Sequence, residues 1–354
     1  MDFSFTSDQQ DLRDLAVKIL SDATTLERVK RVLADDDGFD RDLWSVLAEA
    51  GIIGISLPES VGGAGLGFIE TCIVLEEVGR TAALIPALAV MGLAAPALVE
   101  FGATDALAGV ADGTRIVTAA FTEMVGDPAT PSTSAAGGKL TGEKVCVPAG
   151  LLAERIVVSA SDGLYLVDPS SSGVTVERED TMLGAPMARL LLRDAEATKL
   201  AGREGLTWVL EHAQTATAVT MSGAAATALD LTSTYVKERK QFGRAIGTFQ
   251  AVSQRAADTY INKEAIKLTS WQAAWRLDTR KSSATQVATA KYWAAQGGQD
   301  VVLAAHHLHG GVGVDRDYPL YRYFLLAKQM ELDLGSETPT LMHLGALIAE
   351  TPVG

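Results

Sequence analysis

The sequence is poor in cysteine. Cys72 and Cys146 are the two in 354 residues, and they stand too far apart for a paired or metal-binding spacing, which excludes a disulfide-built fold and fits a reducing compartment. Positive charge is also short. Lys and Arg number 30 against 44 Asp and Glu, a formal net charge of -14, so nucleic acid and anionic membrane, which both call for basic surface, are excluded as partners. Long apolar runs are missing as well: the stretch 82–99 is interrupted by Pro86 and Pro96 and reads as a pair of core helices, not a membrane span. The opening MDFSFTSDQQDL carries neither a basic nor an apolar leader pattern, so no signal peptide is expected and a cytoplasmic location is. No internal repeat is evident. No G-x-G-x-x-G lies on a strand–helix junction, so Rossmann-type dinucleotide binding finds no support.

What is present suffices for a large core, with 47% hydrophobic and 21% charged residues. The length exceeds what one core usually serves, so two or three domains are expected. The hydrophobic period changes twice along the chain. Residues 1–113 are helical in pattern: Ser7 and Gln10 suit a capping box before Leu12, Leu15, Ala16 and Ile19, and a second helix is expected from Asp40 through Leu43, Trp44 and Leu47 to a stop at Gly51. After the turn-rich PESVGGAGLG, apolar periodicity resumes through Ile69, Ile73 and Leu75. Residues 114–200 hold short runs rich in β-branched residues between Gly, Asp, Pro and Ser clusters, predicting a small antiparallel barrel or sandwich. Residues 201–354 return to long helical segments near 204–237, 249–277 and 283–308, as in a bundle. The run Gly223-Ala-Ala-Ala226 would allow close helix packing and makes oligomerisation through the bundle plausible. Trp271, Trp275 and Trp293 read as core or interface anchors.

Few residues announce chemistry alone. His306, His307 and His309 superficially resemble a metal cluster, but no cysteine or carboxylate stands at ligand spacing. The glycines that follow, Gly310, Gly311 and Gly313, either end a helix or offer backbone N–H groups to an anion. The segment Arg239-Lys-Gln-Phe-Gly243 taken alone is a cationic helix end.

The order of these pieces is more specific. Arg239-Lys-Gln-Phe-Gly243, Ile246-Gly-Thr-Phe-Gln250, His309-Gly-Gly-Val-Gly313 and Tyr318-Pro319 closely resemble the acyl-CoA dehydrogenase family, and PESVGGAGLG, Thr122-Glu123 and Leu140-Thr-Gly-Glu-Lys144 extend the resemblance over most of the chain. It implies an α+β fold with an N-terminal helical domain, a middle antiparallel β-barrel and a C-terminal four-helix bundle. It also implies FAD as cofactor and α,β-desaturation of an acyl-CoA thioester. There a desolvated carboxylate takes the α-proton and the flavin accepts the β-hydride, with an electron-transfer flavoprotein or similar acceptor downstream. By the same resemblance Arg239, Phe242, Gln250, His307, Gly310, Gly311 and Gly313 match positions around the pyrophosphate and adenosine of FAD, reaching across a dimer to the neighbour's flavin. His307 stands where a Gln is common.

At the reacting end the sequence departs from the family. Its two positions for the base fall on Leu334 and Ala213, the flavin-facing barrel residues are Cys146 and Pro148, and the Arg-Asp pair after Tyr-Pro is Leu325-Leu326. The resemblance is closest to the smaller, non-catalytic subunits of α2β2 enzymes of sterol side-chain degradation, so a homologous catalytic partner and a steroid-CoA substrate are expected. Two alternatives stand beside this. One is a homomeric dehydrogenase with Glu211, Asp333 or Glu337 as a displaced base; the other is a non-enzymatic acyl-CoA-binding or scaffold protein.

Overall fold

The computed structural model describes residues 4–35, 38–185 and 187–350. Helices α1 (Ser7–Ala23), α2 (Leu26–Ala34), α3 (Arg41–Glu49) and α4 (Phe68–Thr81) come first, followed by a π-helical segment (Leu88–Ala94) that runs into α5 (Ala95–Glu100). The cap of α1 lies one residue earlier than the sequence predicts: Thr6 accepts from the backbone N–H of Gln9, whose side chain returns to the Thr6 N–H. Asp40 caps α3 as expected, accepting from the Leu43 N–H and from Arg28 of α2 at 2.7 and 2.6 Å. In the proline-punctuated stretch, residues 82–86 are non-helical, and helix runs from residue 87 through the π-helical segment into α5, whose second residue is Pro96.

The middle region comprises β1 (Val117–Ala120), β2 (Ser134–Ala136), β3 (Lys139–Pro148), β4 (Arg155–Ala160), β5 (Gly163–Val167), β6 (Val174–Glu179), β7 (Met187–Glu196) and β8 (Thr198–Ala201). They form two four-stranded sheets, ordered β1-β4-β5-β8 and β2-β3-β7-β6. The expected pairing was antiparallel throughout, but β1 lies parallel to β4, so the middle region is mixed. Their inner faces share one core with the first helices and the start of α6 (Arg203–Glu238).

After α6 come a two-residue-per-strand hairpin, β9 (Lys240–Gln241) and β10 (Arg244–Ala245), then α7 (Gln250–Asp278), α8 (Ala284–His309), α9 (Leu320–Leu332) and α10 (Glu337–Glu350). The small residues of α6 are used inside the chain, not between chains. A Cβ on Gly223 would stand 1.9 Å from the Glu76 carbonyl oxygen, and one on Gly79 would stand 1.9 Å from that of Thr220. The backbones of α4 and α6 therefore cross at these glycines. Buried Glu76 of α4 ties the crossing together, accepting from Ser222 at 2.8 Å and from the Trp271 indole at 3.2 Å. Trp271 is thus the core anchor expected of it. Among the described residues no helix is long and apolar enough to cross a membrane.

Candidate functional site

Antiparallel α6, α7 and α8 bring the end of the first, the start of the second and the end of the third to one end of the bundle, where the expected adenosine-side residues lie. Arg239 ends α6 and leads into the hairpin, whose tip is Phe242 and Gly243, both with positive φ (+52° and +81°). Arg239 is exposed and makes no ion pair among the described residues. Its carbonyl accepts from the Ile246 N–H at 2.8 Å, which folds the hairpin back against the helix end. The Phe242 side chain is 91% exposed, touching only the edge of Phe249 at 6.2 Å between centroids. Gln250 opens α7, also exposed.

The glycine turn joins this group through Tyr235 of α6, whose ring stacks on His309 at 4.3 Å and whose hydroxyl donates to the His309 carbonyl. His309 and His306 each hold a carbonyl four residues back, of Ala305 and Val302, through Nδ1, and His309 Nε2 meets the Tyr318 hydroxyl at 3.2 Å. These two rings therefore fasten the helix end, while His307 faces outward. Gly310 takes φ +60° and ψ -137°, a conformation closed to other residues. Gly311 has no such need, and a Cβ there would meet open space. Nothing within the chain requires that residue to lack a side chain. Gly313, expected to line the ligand, is instead buried against His306 and His309, and the Gly310 N–H donates to the carbonyls of His306 and His307. A guanidinium, an aromatic ring and an amide are exposed at this end, side chains that suit a diphosphate joined to a flat heterocycle.

The reacting end is built differently. A cavity of about 130 Å³ lies between the strands and the bundle, lined by Phe121, Thr122, Cys146, Pro148, Leu326 and Leu334 among others. Leu334 is 5% exposed and Ala213 not at all, and both belong to one apolar cluster. The two are linked locally, since Gln214 donates its side-chain N–H to the Leu334 carbonyl at 3.1 Å. Both positions expected for a base are therefore buried and apolar, and neither side chain can take a proton. Leu334 also holds φ +58°, a left-handed conformation uncommon outside glycine and asparagine.

Of the three displaced acids, Asp333 alone lines this cavity. Burial pushes its carboxyl up, opposed by a 2.6 Å bond from the Gln329 amide and by the nearby cation of Lys291. Lys291 is itself fully buried, donating to the carbonyls of Met330 and Glu331 at the end of α9. Glu211 is turned away, accepting from Ser283 at 2.7 Å, and Glu337 lies in the first turn of α10. Cys146 occupies a bulge in β3 with φ +52°, and burial pushes its thiol up, next to Glu179 and Asp333.

The residue after Thr122 in the cavity wall belongs to a clasp that the resemblance of Thr122-Glu123 alone did not reveal. Glu123 accepts from Lys144 Nζ at 2.7 Å and from the backbone N–H and hydroxyl of both Ser132 and Thr133. Lys144 is wholly buried and also donates to Ser159. Burial alone would raise the Glu123 carboxyl, but the five donors outweigh it and hold it at about 2.

Comparison with known proteins settles the family. Residues 6–107 match the acyl-CoA dehydrogenase N-terminal domain and residues 201–346 the C-terminal domain. The chain belongs to the acyl-CoA dehydrogenase family. It is 36% identical to acyl-CoA dehydrogenase FadE27 of Mycobacterium tuberculosis, covering 99% of this chain and 100% of that one. FadE28 of the same organism is 33% identical, with 98% of each covered. Among solved structures, a chain of a Tcur3481-Tcur3483 steroid ACAD variant superposes with a TM-score of 0.92 at 41% identity, over 97% of this chain and 98% of the other. A chain of the ChsE4-ChsE5 complex from Mycobacterium tuberculosis gives 0.92 at 35% identity, with both covered in full. FAD is the cofactor of this oxidoreductase family, and the exposed Arg239, Phe242 and Gln250 are chemically suited to its pyrophosphate and adenosine.

Proposed function

We propose that this chain is the non-catalytic subunit of a heteromeric acyl-CoA dehydrogenase, presenting Arg239, Phe242, Gln250, His307, Gly310 and Gly311 to FAD held mainly by a homologous partner that carries the base. The observation that supports this reading is that Leu334 and Ala213, at the two positions expected for a base, are both buried apolar residues. When bound, the flavin supplies a hydride acceptor. This chain's contribution is to grip: Arg239 offers a two-pronged donor to the diphosphate, and Phe242 offers a flat apolar face. Proton abstraction falls to the partner.

The relatives support an assembly of this kind, since the two solved structures are described as a steroid ACAD of paired names and as a two-component complex. By the same relation the substrate class is a steroid thioester of coenzyme A, and the assembly is an α2β2 tetramer. With a net charge of -14 on this chain, the anionic coenzyme must be held by local donors, not by the overall field. An electron-transfer flavoprotein completes the scheme as acceptor, a class with which the fold is associated in a structure 28% identical to this chain (TM-score 0.86).

The chain purified alone is expected to be colourless and inactive, and the complex with its partner yellow and active toward steroid-CoA thioesters. A yellow, active single chain would overturn the heteromeric reading. One observation favours the alternative of a displaced base: Asp333 lines the cavity with its carboxyl raised by burial. Asp333→Asn in the complex separates the two, because a partner-borne base leaves kcat within about twofold, whereas a base on Asp333 would lose several orders of magnitude.

A further inference from the structure

A second cavity, on the face of α6 away from Ala213, serves no part of the scheme above. About 210 Å³ in volume, it lies where the start of α4, the end of α5, the start of α6 and the end of α7 meet, with walls that include Leu66, Phe68, Val99, Trp208 and His212. His212 is 5% exposed, stacked on Trp208 at 3.8 Å and met edge-on by Phe68 at 4.8 Å. Its Nδ1 lies 2.8 Å from the Trp208 carbonyl, and a carbonyl can only accept, so Nδ1 carries the proton. That fixes the tautomer and leaves a lone pair on Nε2. This atom has no hydrogen-bond partner among the described residues, and the ring lines the cavity.

The charges around the rim are already satisfied. Arg280 and Glu100 pair through two bonds of 3.2 and 3.1 Å, and Asp278 caps α4 by accepting from the N–H groups of Phe68 and Ile69. Apart from these charges and the hydroxyls of Ser56 and Thr71, which pair with each other at 3.0 Å, the walls are aromatic and aliphatic, and the volume exceeds the roughly 150 Å³ of a cavity known to take up benzene. A lone acceptor in such surroundings is satisfied by a ligand that brings its own donor.

We infer that this cavity is a binding site for a small uncharged aromatic molecule bearing one O–H or N–H group, a phenol in the simplest case, with the donor on His212 Nε2 and the ring against the Trp208 and Leu66 walls. The site is independent of flavin, substrate and partner base, so its test needs no turnover.

The probes are 4-fluorophenol and fluorobenzene, titrated by fluorine NMR into the full-length chain and into its complex. The phenol is expected to saturate at a Kd roughly 3- to 10-fold below that of fluorobenzene, the gain of one buried hydrogen bond. His212→Phe keeps the aromatic packing and deletes the acceptor, and is expected to erase that difference while leaving fluorobenzene unchanged. Should that variant fail to fold, Leu66→Trp, a change at a partly exposed wall position, is expected to abolish binding of both probes. Equal affinity for the two probes, or phenol binding that survives Leu66→Trp, overturns the inference.

Discussion

On the proposed reading, single residues separate a working surface from a retired one. Among the described residues Arg239 is exposed and makes no ion pair, whereas Leu334 is buried in the core. If Arg239 grips the diphosphate, Arg239→Ala should lower flavin retention in the purified complex roughly 10- to 1000-fold, read as the flavin-to-protein absorbance ratio, with unaltered melting of this subunit. Lysine should rescue only in part, because it keeps the charge and loses the fork. An unchanged ratio in Arg239→Ala would make the motif a relic. The Glu123 clasp gives a second expectation, for stability. Its folded pKa of about 2 lies below the ordinary 4.5, so its contribution is complete above pH 4.5 and lost as the pH falls toward 2. Lys144→Met strands part of that buried charge and should cost about 3 kcal/mol at neutral pH. Its melting temperature should also fall less steeply than the wild type's between pH 4.5 and 2.5, and parallel curves would count against the clasp.

At the scale of elements, glycine positions tell internal packing from external contact. Gly223→Ala drives a Cβ into the Glu76 carbonyl where α4 and α6 cross, so it should lower the melting temperature of the isolated chain by many degrees, on the order of 3 kcal/mol or more in stability. Gly311→Ala meets open space and should leave that temperature alone while weakening flavin retention in the complex. A matching pair of effects would refute this division. The same elements show how much was legible beforehand. The three long helices were readable to within a residue or two because length and period reinforce each other. The cap of α1 slipped by one because Thr6 and Ser7 each stand three residues before a Gln, and local pattern cannot choose between them. The parallel β1–β4 pair was illegible, since strand direction depends on a connection more than thirty residues long. Use of the small residues inside the chain was equally hidden, because Gly223 looks the same whether its neighbour is α4 or another molecule. At the site, the outward cluster was legible through motif order, while the clasp of Glu123 and the tautomer of His212 required coordinates.

On the scale of the whole molecule, the two ends of the bundle have different degrees of closure. The reacting end holds a cavity within the chain, with the buried apolar Leu334 and Ala213 at the two positions expected for a base. The other end presents an aromatic side chain on the tip of a six-residue hairpin, 91% uncovered. That tip makes the free chain an orphan in the sense used for unassembled subunits. A protruding phenylalanine beside a bare arginine is the kind of signal that chaperones and proteases read, and only docking hides it. If the chain assembles as proposed, synthesis in excess of the partner would be wasted, and its abundance in the cell should follow that of the protein that covers Phe242, however stable its own fold.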